Sequence, residues 1–197
     1  MSQFIESIKV EDQKAFLLDL HQQRVRETFA HFEKECSIDL EKIFKDLEHD
    51  EDGLYKLRIV YDLEGKFKSQ MLPYAFPEIE TFELVENNDF SYDFKFADRT
   101  EFEKMKKKAR AQEIIIVKNG QITDTSFSNL LFLKNQTWYT PKSFLLNGVQ
   151  RQNLLKQGII KETEITLQNL NEFSHFQLIN SMNEFNQDFV YSIEELK

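Results

Sequence analysis

The chain has 197 residues, a formal net charge of −9, 41% hydrophobic and 30% charged residues, and one cysteine. This is the composition of a globular protein, and no apolar run approaches the roughly 18 residues of a membrane span. The negative balance argues against nucleic acid as the main partner, because phosphate binding requires clustered positive charge. With no disulfide possible within the chain and no apolar signal-peptide core near the N-terminus, we expect a cytoplasmic protein that does not bind membranes.

The first half of the chain predicts the element order β-α-α-β-β-β. The elements are a strand over 4–10, a helix from Asp12 to about Phe32, a helix from Ser37, a hairpin of 54–63 and 66–72 around Glu64-Gly65, and a strand over 79–85. Alternating apolar residues indicate the strands, and Asp or Ser before an apolar pattern indicates the helix starts. We expect a small α+β unit built on an antiparallel sheet.

A polar, turn-rich segment at 87–93 predicts a domain boundary, which divides the chain into domains at 1–90 and 91–197. Beyond it we expect a helix over 101–110, a hairpin of 113–118 and 121–125, strands over 129–134 and 137–140, a helix over 149–157 and a strand over 176–182. The hairpin signal is strong, because Asn119-Gly120 suits a tight two-residue turn. The second domain is therefore β-rich.

Two familiar phosphate-binding loops and metal sites are excluded or disfavoured. The five glycines lie at least ten residues apart, whereas a dinucleotide fingerprint and a P-loop need glycines within a few residues of each other. The segment Glu48-x-Asp50-x-Asp52-Gly53 begins like a calcium loop, but its twelfth position is Ile59 instead of the required Glu. We interpret it as an acidic turn. The four histidines lack metal-ligand spacing, so no metal site is expected.

Several motifs occur in an order that resembles one enzyme family. They are Glu6-Ser-Ile-Lys9, Leu20-His21-x-x-Arg24, Leu57-Arg58-Ile59, Lys95-Phe-Ala-Asp-Arg99, Ile122-Thr-Asp-Thr-Ser-Phe-Ser-Asn129, Tyr139-Thr-Pro141 and Gly148-Val-Gln-Arg151. In this order they resemble the class IV aminotransferase family, the fold-type-IV enzymes that depend on pyridoxal 5'-phosphate (PLP). The resemblance implies a two-domain α+β fold like that of D-amino-acid aminotransferase. A small N-terminal α/β sandwich would precede a β-rich PLP-binding domain.

The resemblance also implies which residues carry the chemistry. Lys95 matches the family's Schiff-base lysine, whose amine also moves a proton at the substrate carbon. Asp124 matches the acidic residue that contacts the pyridine nitrogen, although the family usually has Glu there. Thr100 stands where some members have a tyrosine that contacts the cofactor ring oxygen.

Further residues match the phosphate and substrate contacts of the family. Arg24 matches the arginine that binds the cofactor phosphate. Val149 and Gln150 begin a predicted helix and would offer backbone N–H groups to the same phosphate. Ser181 falls where the family adds a hydroxyl or amide contact. Arg58 would bind a substrate carboxylate or, alternatively, form an ordinary salt bridge.

The implied function is PLP-dependent chemistry at the amino-bearing carbon of a small-molecule substrate. The preferred hypothesis is an aminodeoxychorismate lyase-like elimination of pyruvate that gives 4-aminobenzoate. The alternative is an aminotransferase for a D- or branched-chain amino acid, which would use the same residues. A non-catalytic relative is a third possibility, given Asp124, Thr100 and the short first domain. Family members are usually homodimers, so we expect a homodimer.

Overall fold

The computed structural model describes residues 2–47, 53–186 and 190–196. They divide into two compact units: the first comprises Met1–Phe76 and Phe94–Asp98, and the second comprises Pro77–Asp93 and Arg99–Lys197. Lys95 thus belongs to the first unit, although it follows part of the second unit in the chain. Within the described ranges, no helix is long and apolar enough to cross a membrane.

The first unit is a four-stranded antiparallel sheet with two helices. Its elements are β1 (Phe4–Glu11), β2 (Lys14–Ala15), α1 (Leu18–His31), α2 (Leu40–Lys45), β3 (Leu54–Tyr61) and β4 (Phe67–Pro73). The strands lie in the order β2-β1-β3-β4. The predicted first strand and the hairpin of β3 and β4 are confirmed, and Gly65 supplies the left-handed backbone of that turn, with φ of 79°.

The two predicted helix starts in this unit are wrong. Asp12 and Gln13 adopt positive φ and form the turn between β1 and β2, so α1 begins only at Leu18. The second helix begins after Asp39, whose side chain accepts a hydrogen bond from the Lys42 N–H at 3.0 Å. Asp tolerates the left-handed turn and also caps helices well, so its presence alone does not distinguish the two roles.

The core of the first unit lies on one face of the sheet. Alternate residues of β1, namely Phe4, Ile8 and Val10, are buried with residues of β3 and α1. Glu6 occupies the same face of β1 and is fully buried. A carboxylate in this position requires buried partners, because an unpaired buried charge is very unfavourable.

The second unit contains two sheets. Its elements are β5 (Phe82–Glu86), α3 (Thr100–Lys108), β6 (Glu113–Lys118), β7 (Gln121–Thr125), β8 (Asn129–Lys134), β9 (Thr137–Pro141), α4 (Val149–Lys156), β10 (Lys161–Thr163), β11 (His175–Ile179) and β12 (Tyr191–Ser192). One sheet has the order β5-β6-β7 and the other β10-β9-β8-β11-β12. The predicted helices and strands from residue 100 onward are confirmed, except that the last predicted strand ends at Ile179 and not at Met182. The short strands β10 and β12 were not predicted.

One strand joins a different sheet from the one expected. We predicted that the run over 79–85 would complete the antiparallel sheet of the first half, but β5 pairs in parallel with β6 of the second unit. A parallel pair needs a crossover connection, and α3 lies in the chain between the two strands. The predicted tight turn at Asn119-Gly120 is confirmed, with φ of 51° and 75°.

Candidate active site

A buried charge cluster connects β1 with α1. Glu6 accepts hydrogen bonds from Arg24, which binds through Nε at 2.9 Å and also through Nη2. The same carboxylate lies 2.6 Å from Nδ1 of His21. His21 and Arg24 are three residues apart on α1, so they lie on the same face of the helix. The predicted phosphate ligand Arg24 is therefore held in place by a carboxylate from β1.

The protonation states in this cluster follow from burial and pairing. Burial alone would raise the pKa of Glu6, but the Arg24 charge and the His21 hydrogen bond outweigh it and hold that pKa at about 2. Burial lowers the pKa of His21, although Glu6 opposes this effect. A neutral His21 donates from Nδ1 to the Glu6 carboxylate, which leaves Nε2 as an acceptor. That Nε2 is buried with no hydrogen bond in the structure.

Lys95 is attached to the first strand through its backbone. Its carbonyl accepts a hydrogen bond from the Ile5 N–H at 2.9 Å. Phe96 forms an antiparallel bridge with Phe4, and their rings stack at 5.2 Å. Phe94 and Phe96 both pack against the core of the first unit. The charge of Lys95 also contributes to the lowered pKa of His21, so Lys95 lies within electrostatic reach of the cluster formed by Glu6, His21 and Arg24.

Arg58 lies on the face of the sheet opposite the core, because its neighbours Leu57 and Ile59 in β3 are core residues. It pairs in register with Ser7 of β1 and Gln70 of β4, so these three polar side chains form a row across three strands. The Arg58 guanidinium is half-buried and forms no hydrogen bond or ion pair with any residue that the structure describes. This face of the sheet thus presents a cation without a partner in the described ranges.

Asp124 is buried near the end of β7, with three hydrogen bonds to its carboxylate. Oδ2 accepts from the Leu145 and Leu146 N–H groups, both at 2.9 Å, and Oδ1 accepts from Asn129 Nδ2 at 2.8 Å. Burial raises the pKa of Asp124 to about 6, against the lowering effect of these donors. Each carboxylate oxygen accepts two hydrogen bonds, so Oδ1 retains capacity for one more donor.

Helix α4 provides uncapped backbone N–H groups in the second unit. Gly148 is its N-cap and has no side chain, so no side-chain cap satisfies the first turn. Val149 and Gln150 are the first two helical residues, and both are buried. The first N–H groups of a helix have no partner within it, and with the helix dipole they favour an anion.

Ser181 lies in a turn that follows β11. Asn180 organises this turn, since its Oδ1 accepts from the Met182 and Asn183 N–H groups, both at 2.8 Å. The Asn180 amide also donates to Ser128 Oγ at 3.0 Å, beside the end of the β7–β8 connection. Ser181 is half-buried in this turn.

The acidic segment from Glu48 to Asp52 lies outside the described residues. Within residues 2–47, 53–186 and 190–196, no group of three acidic, His or Cys side chains is arranged to hold a metal ion.

These groups together include an amine, an arginine, a buried carboxylate and an uncapped helix start, and comparison with known proteins identifies the family they come from. The model of the amino-transferase class IV family matches residues 3–186. The chain belongs to this family. Class IV aminotransferases and their relatives are PLP-dependent, so this chain is a PLP-dependent enzyme.

Individual relatives agree with this assignment. A protein of Haemophilus influenzae without an assigned function is 30% identical over 187 residues, which cover 93% of this chain and 99% of that protein. A crystal structure from Haemophilus somnus, provisionally named a 4-amino-4-deoxychorismate lyase, is 33% identical with a TM-score of 0.87 and covers 94% of this chain and 98% of that one.

More distant structures share the fold alone. A PLP-bound aminotransferase from Brucella abortus has a TM-score of 0.72 at 16% identity, covering 96% of this chain and 79% of that one. These likenesses confirm the predicted α+β class of the fold-type-IV enzymes.

Two residues of this class IV enzyme went unassigned in the sequence analysis. Glu6 belongs to a quoted motif, but no role was predicted for it. Its role could have been recognised from its position among the core-facing residues of β1, because a buried carboxylate requires a buried cation as its partner. Asn129 was recognised as part of the hairpin motif. Its contact with Asp124 spans only five residues of that motif, but its contact with the Leu146 carbonyl depends on a loop that arrives 17 residues later, so local pattern could not reveal the connection to that loop.

Proposed function

We propose that this enzyme is a PLP-dependent lyase that eliminates pyruvate from 4-amino-4-deoxychorismate and releases 4-aminobenzoate. The likeness to the Haemophilus somnus protein carries this proposal, because it extends over nearly the full length of both chains at 33% identity. The aminotransferase alternative is supported by the family itself and by the PLP-bound Brucella abortus enzyme, which shares the fold.

We assign the phosphate of PLP to residues of each unit, as the family resemblance implies. The first turn of α4 lacks a side-chain cap, so the Val149 and Gln150 N–H groups suit a phosphate anion. Arg24 adds a guanidinium whose orientation is set by Glu6, and an arginine fork matches phosphate oxygens. We assign Ser181 a further polar contact to the same group. These assignments follow the family resemblance residue by residue.

The remaining assignments concern the ring and the substrate. Asp124 Oδ1 can accept one further hydrogen bond, which suits the protonated nitrogen of a pyridine ring. When bound, PLP supplies a ring that stabilises negative charge at the carbon bearing the amino group. Lys95 binds the cofactor through its amine and then moves a proton at that carbon. Arg58 binds a carboxylate of the substrate, since no described residue neutralises it.

The visible absorption spectrum tests cofactor binding. We expect the purified protein with added PLP to be yellow. Borohydride reduction should then fix the cofactor to Lys95 as a stable label. Lys95→Ala should lose the reducible label, whereas Lys56→Ala should retain it. Lys56 is a matched control, because it is a half-buried lysine in β3 of the same unit, and its amine lies over the Tyr74 ring. A wild-type protein that takes up no PLP would contradict the proposal.

Product analysis separates the two candidate reactions. Incubation with 4-amino-4-deoxychorismate should release pyruvate and 4-aminobenzoate in equal amounts, without a ketoacid acceptor. Turnover that instead requires a ketoacid and a D- or branched-chain amino acid would establish the aminotransferase alternative. Arg58→Ala should raise KM more than it lowers kcat, because its proposed contact binds the substrate without entering the chemistry.

We further propose that the enzyme is a cytoplasmic homodimer. The support is the family resemblance and a chain with a single, partly buried cysteine. Sedimentation equilibrium should give twice the mass of 23.6 kDa. A monomer at micromolar concentration would contradict this part of the proposal.

A further inference from the structure

We propose that Asn129 is a positioning residue that fixes the position of the first turn of α4 relative to the Asp124 carboxylate. The residues assigned to the cofactor ring and to its phosphate in the second unit would then move as one piece. The inference rests on the proposed PLP assignments of Asp124, Val149 and Gln150, and it gives Asn129 a role that those assignments lack.

The side-chain amide of Asn129 makes the first connection. Its Nδ2 donates to Asp124 Oδ1 at 2.8 Å and to the Leu146 carbonyl, also at 2.8 Å. A side-chain amide nitrogen has two hydrogens, so both are used here. Asn129 is buried, and hydrogen bonds in such a site are well defined in direction. One rigid group therefore holds both the carboxylate and the loop that leads to α4.

Asp124 holds the same loop from its other oxygen. Its Oδ2 accepts the Leu145 and Leu146 N–H groups. Leu146 is thus bound at its N–H by Asp124 and at its carbonyl by Asn129. Two residues later the chain reaches Gly148, the N-cap of α4. The direction of the helix start is consequently set by contacts to these two side chains.

Gly148 shows how closely the loop approaches Asn129. Its φ of −66° is available to any residue, so the backbone conformation does not require glycine. A Cβ at this position would lie 2.0 Å from Asn129 Oδ1 and 3.2 Å from Cγ. Such distances are far below van der Waals contact, and glycine is therefore needed for close packing against Asn129.

This arrangement also accounts for Asp at position 124, where the family usually has Glu. A carboxylate that binds two consecutive backbone N–H groups and a neighbouring amide must stay close to the main chain. Asp124 makes all three of these bonds with the shorter of the two acidic side chains. Asp124 thereby serves the ring through Oδ1 and the helix start through Oδ2.

The test compares PLP with pyridoxal, which has the same ring and aldehyde but no phosphate. Dissociation constants for both are measured by absorbance for the wild type, Asn129→Ala and Gly148→Ala. We expect each variant to bind PLP about tenfold to a hundredfold more weakly, by analogy with residues that orient the direct ligands of a metal ion. Gly148→Ala keeps the Asn129 amide and should change pyridoxal affinity by less than about threefold. Asn129→Ala also removes a hydrogen bond from Asp124 Oδ1 and should weaken pyridoxal as well, but less than PLP. Asn153→Ala is the control and should keep the wild-type affinity for both compounds, because Asn153 lies on α4 and, among the described residues, its side chain accepts a hydrogen bond only from Gln157, the C-cap of that helix.

A double variant tests whether glycine is needed at position 148 because of its contact with Asn129. Asn129→Ala removes the atoms that the new methyl of Gly148→Ala would meet, so the double variant should bind PLP no more weakly than Asn129→Ala alone. Equal losses for PLP and pyridoxal in both single variants would overturn the inference, as would additive losses in the double variant. If Asn129→Ala does not fold, the affinities for PLP and pyridoxal are compared in Gly148→Ala alone. A wild-type protein that binds neither compound would instead contradict the proposed function.

Discussion

Replacement of Glu6 by Gln tests the charge cluster on which Arg24 depends. Glu6 is fully buried and pairs with two side chains of α1, the Arg24 guanidinium and the His21 imidazole. Gln keeps the shape but removes the negative charge, so Arg24 would remain buried without its carboxylate partner. Uncompensated buried charge is among the most destabilising changes in a protein.

The expected loss can be derived in two ways. The pKa of Glu6 falls from its ordinary 4.5 to about 2 in the folded protein. At about 1.4 kcal/mol per pH unit, this corresponds to a contribution of roughly 3 kcal/mol to the free energy of unfolding. Removal of one partner from a buried ion pair costs about 3–5 kcal/mol. Both figures are large against a typical stability of about 5–15 kcal/mol.

The pH dependence has a defined sign. Because folding lowers the pKa of this acid, its contribution is fully present above about pH 4.5 and is lost as the pH falls toward 2. The stability difference between wild type and Glu6→Gln should therefore be largest near neutral pH and shrink below pH 4.5. Urea denaturation followed by far-UV circular dichroism at pH 7, 5, 4 and 3.5 measures this difference.

A surface variant provides the control. Glu41 pairs with Lys45 on α2 at 2.7 Å, and both side chains are about two-thirds exposed, at 66% and 68%. Exposed pairs of this kind contribute little to stability, so Glu41→Gln should leave the urea midpoint unchanged. An unchanged midpoint in Glu6→Gln at pH 7, or a difference that grows on acidification, would refute the account of the cluster.

Two further predictions concern Asp124 and the glycine turns. Folding raises the pKa of Asp124 from 3.8 to about 6, so its contribution is full below pH 3.8 and is lost as the pH rises through 6. Between pH 4 and 7, the free energy of unfolding of the wild type should fall by about 3 kcal/mol relative to that of Asp124→Asn, as measured by thermal unfolding. A stability difference between the two proteins that does not change with pH would contradict this prediction. Gly65 and Gly158 both have positive φ, but only at Gly65 would a Cβ meet another atom, Ser37 Oγ at 2.2 Å. Gly65→Ala should therefore lower the thermal midpoint more than Gly158→Ala, and equal losses would show that Ser37 moves aside freely.

Local sequence determined most of the elements and the identity of the family. Asn119-Gly120 predicted its turn because positive φ at two consecutive positions restricts the residues that fit. The buried runs of β6 and β8 predicted strands, and the His21-x-x-Arg24 spacing placed both side chains on one helix face. These features depend on residues a few positions apart, whose interactions are set by helix or strand geometry alone.

Tertiary structure decided which groups meet across long stretches of chain. The parallel pairing of β5 with β6 depends on the α3 crossover, and the partnership of Glu6 with Arg24 joins residues 18 positions apart. The approach of Gly148 to Asn129 likewise needs the loop that Asp124 anchors. Such contacts follow from the register of distant strands and from close packing, which no short pattern encodes. The sequence therefore named the residues of the candidate site, and the fold of each unit decided which partners hold them.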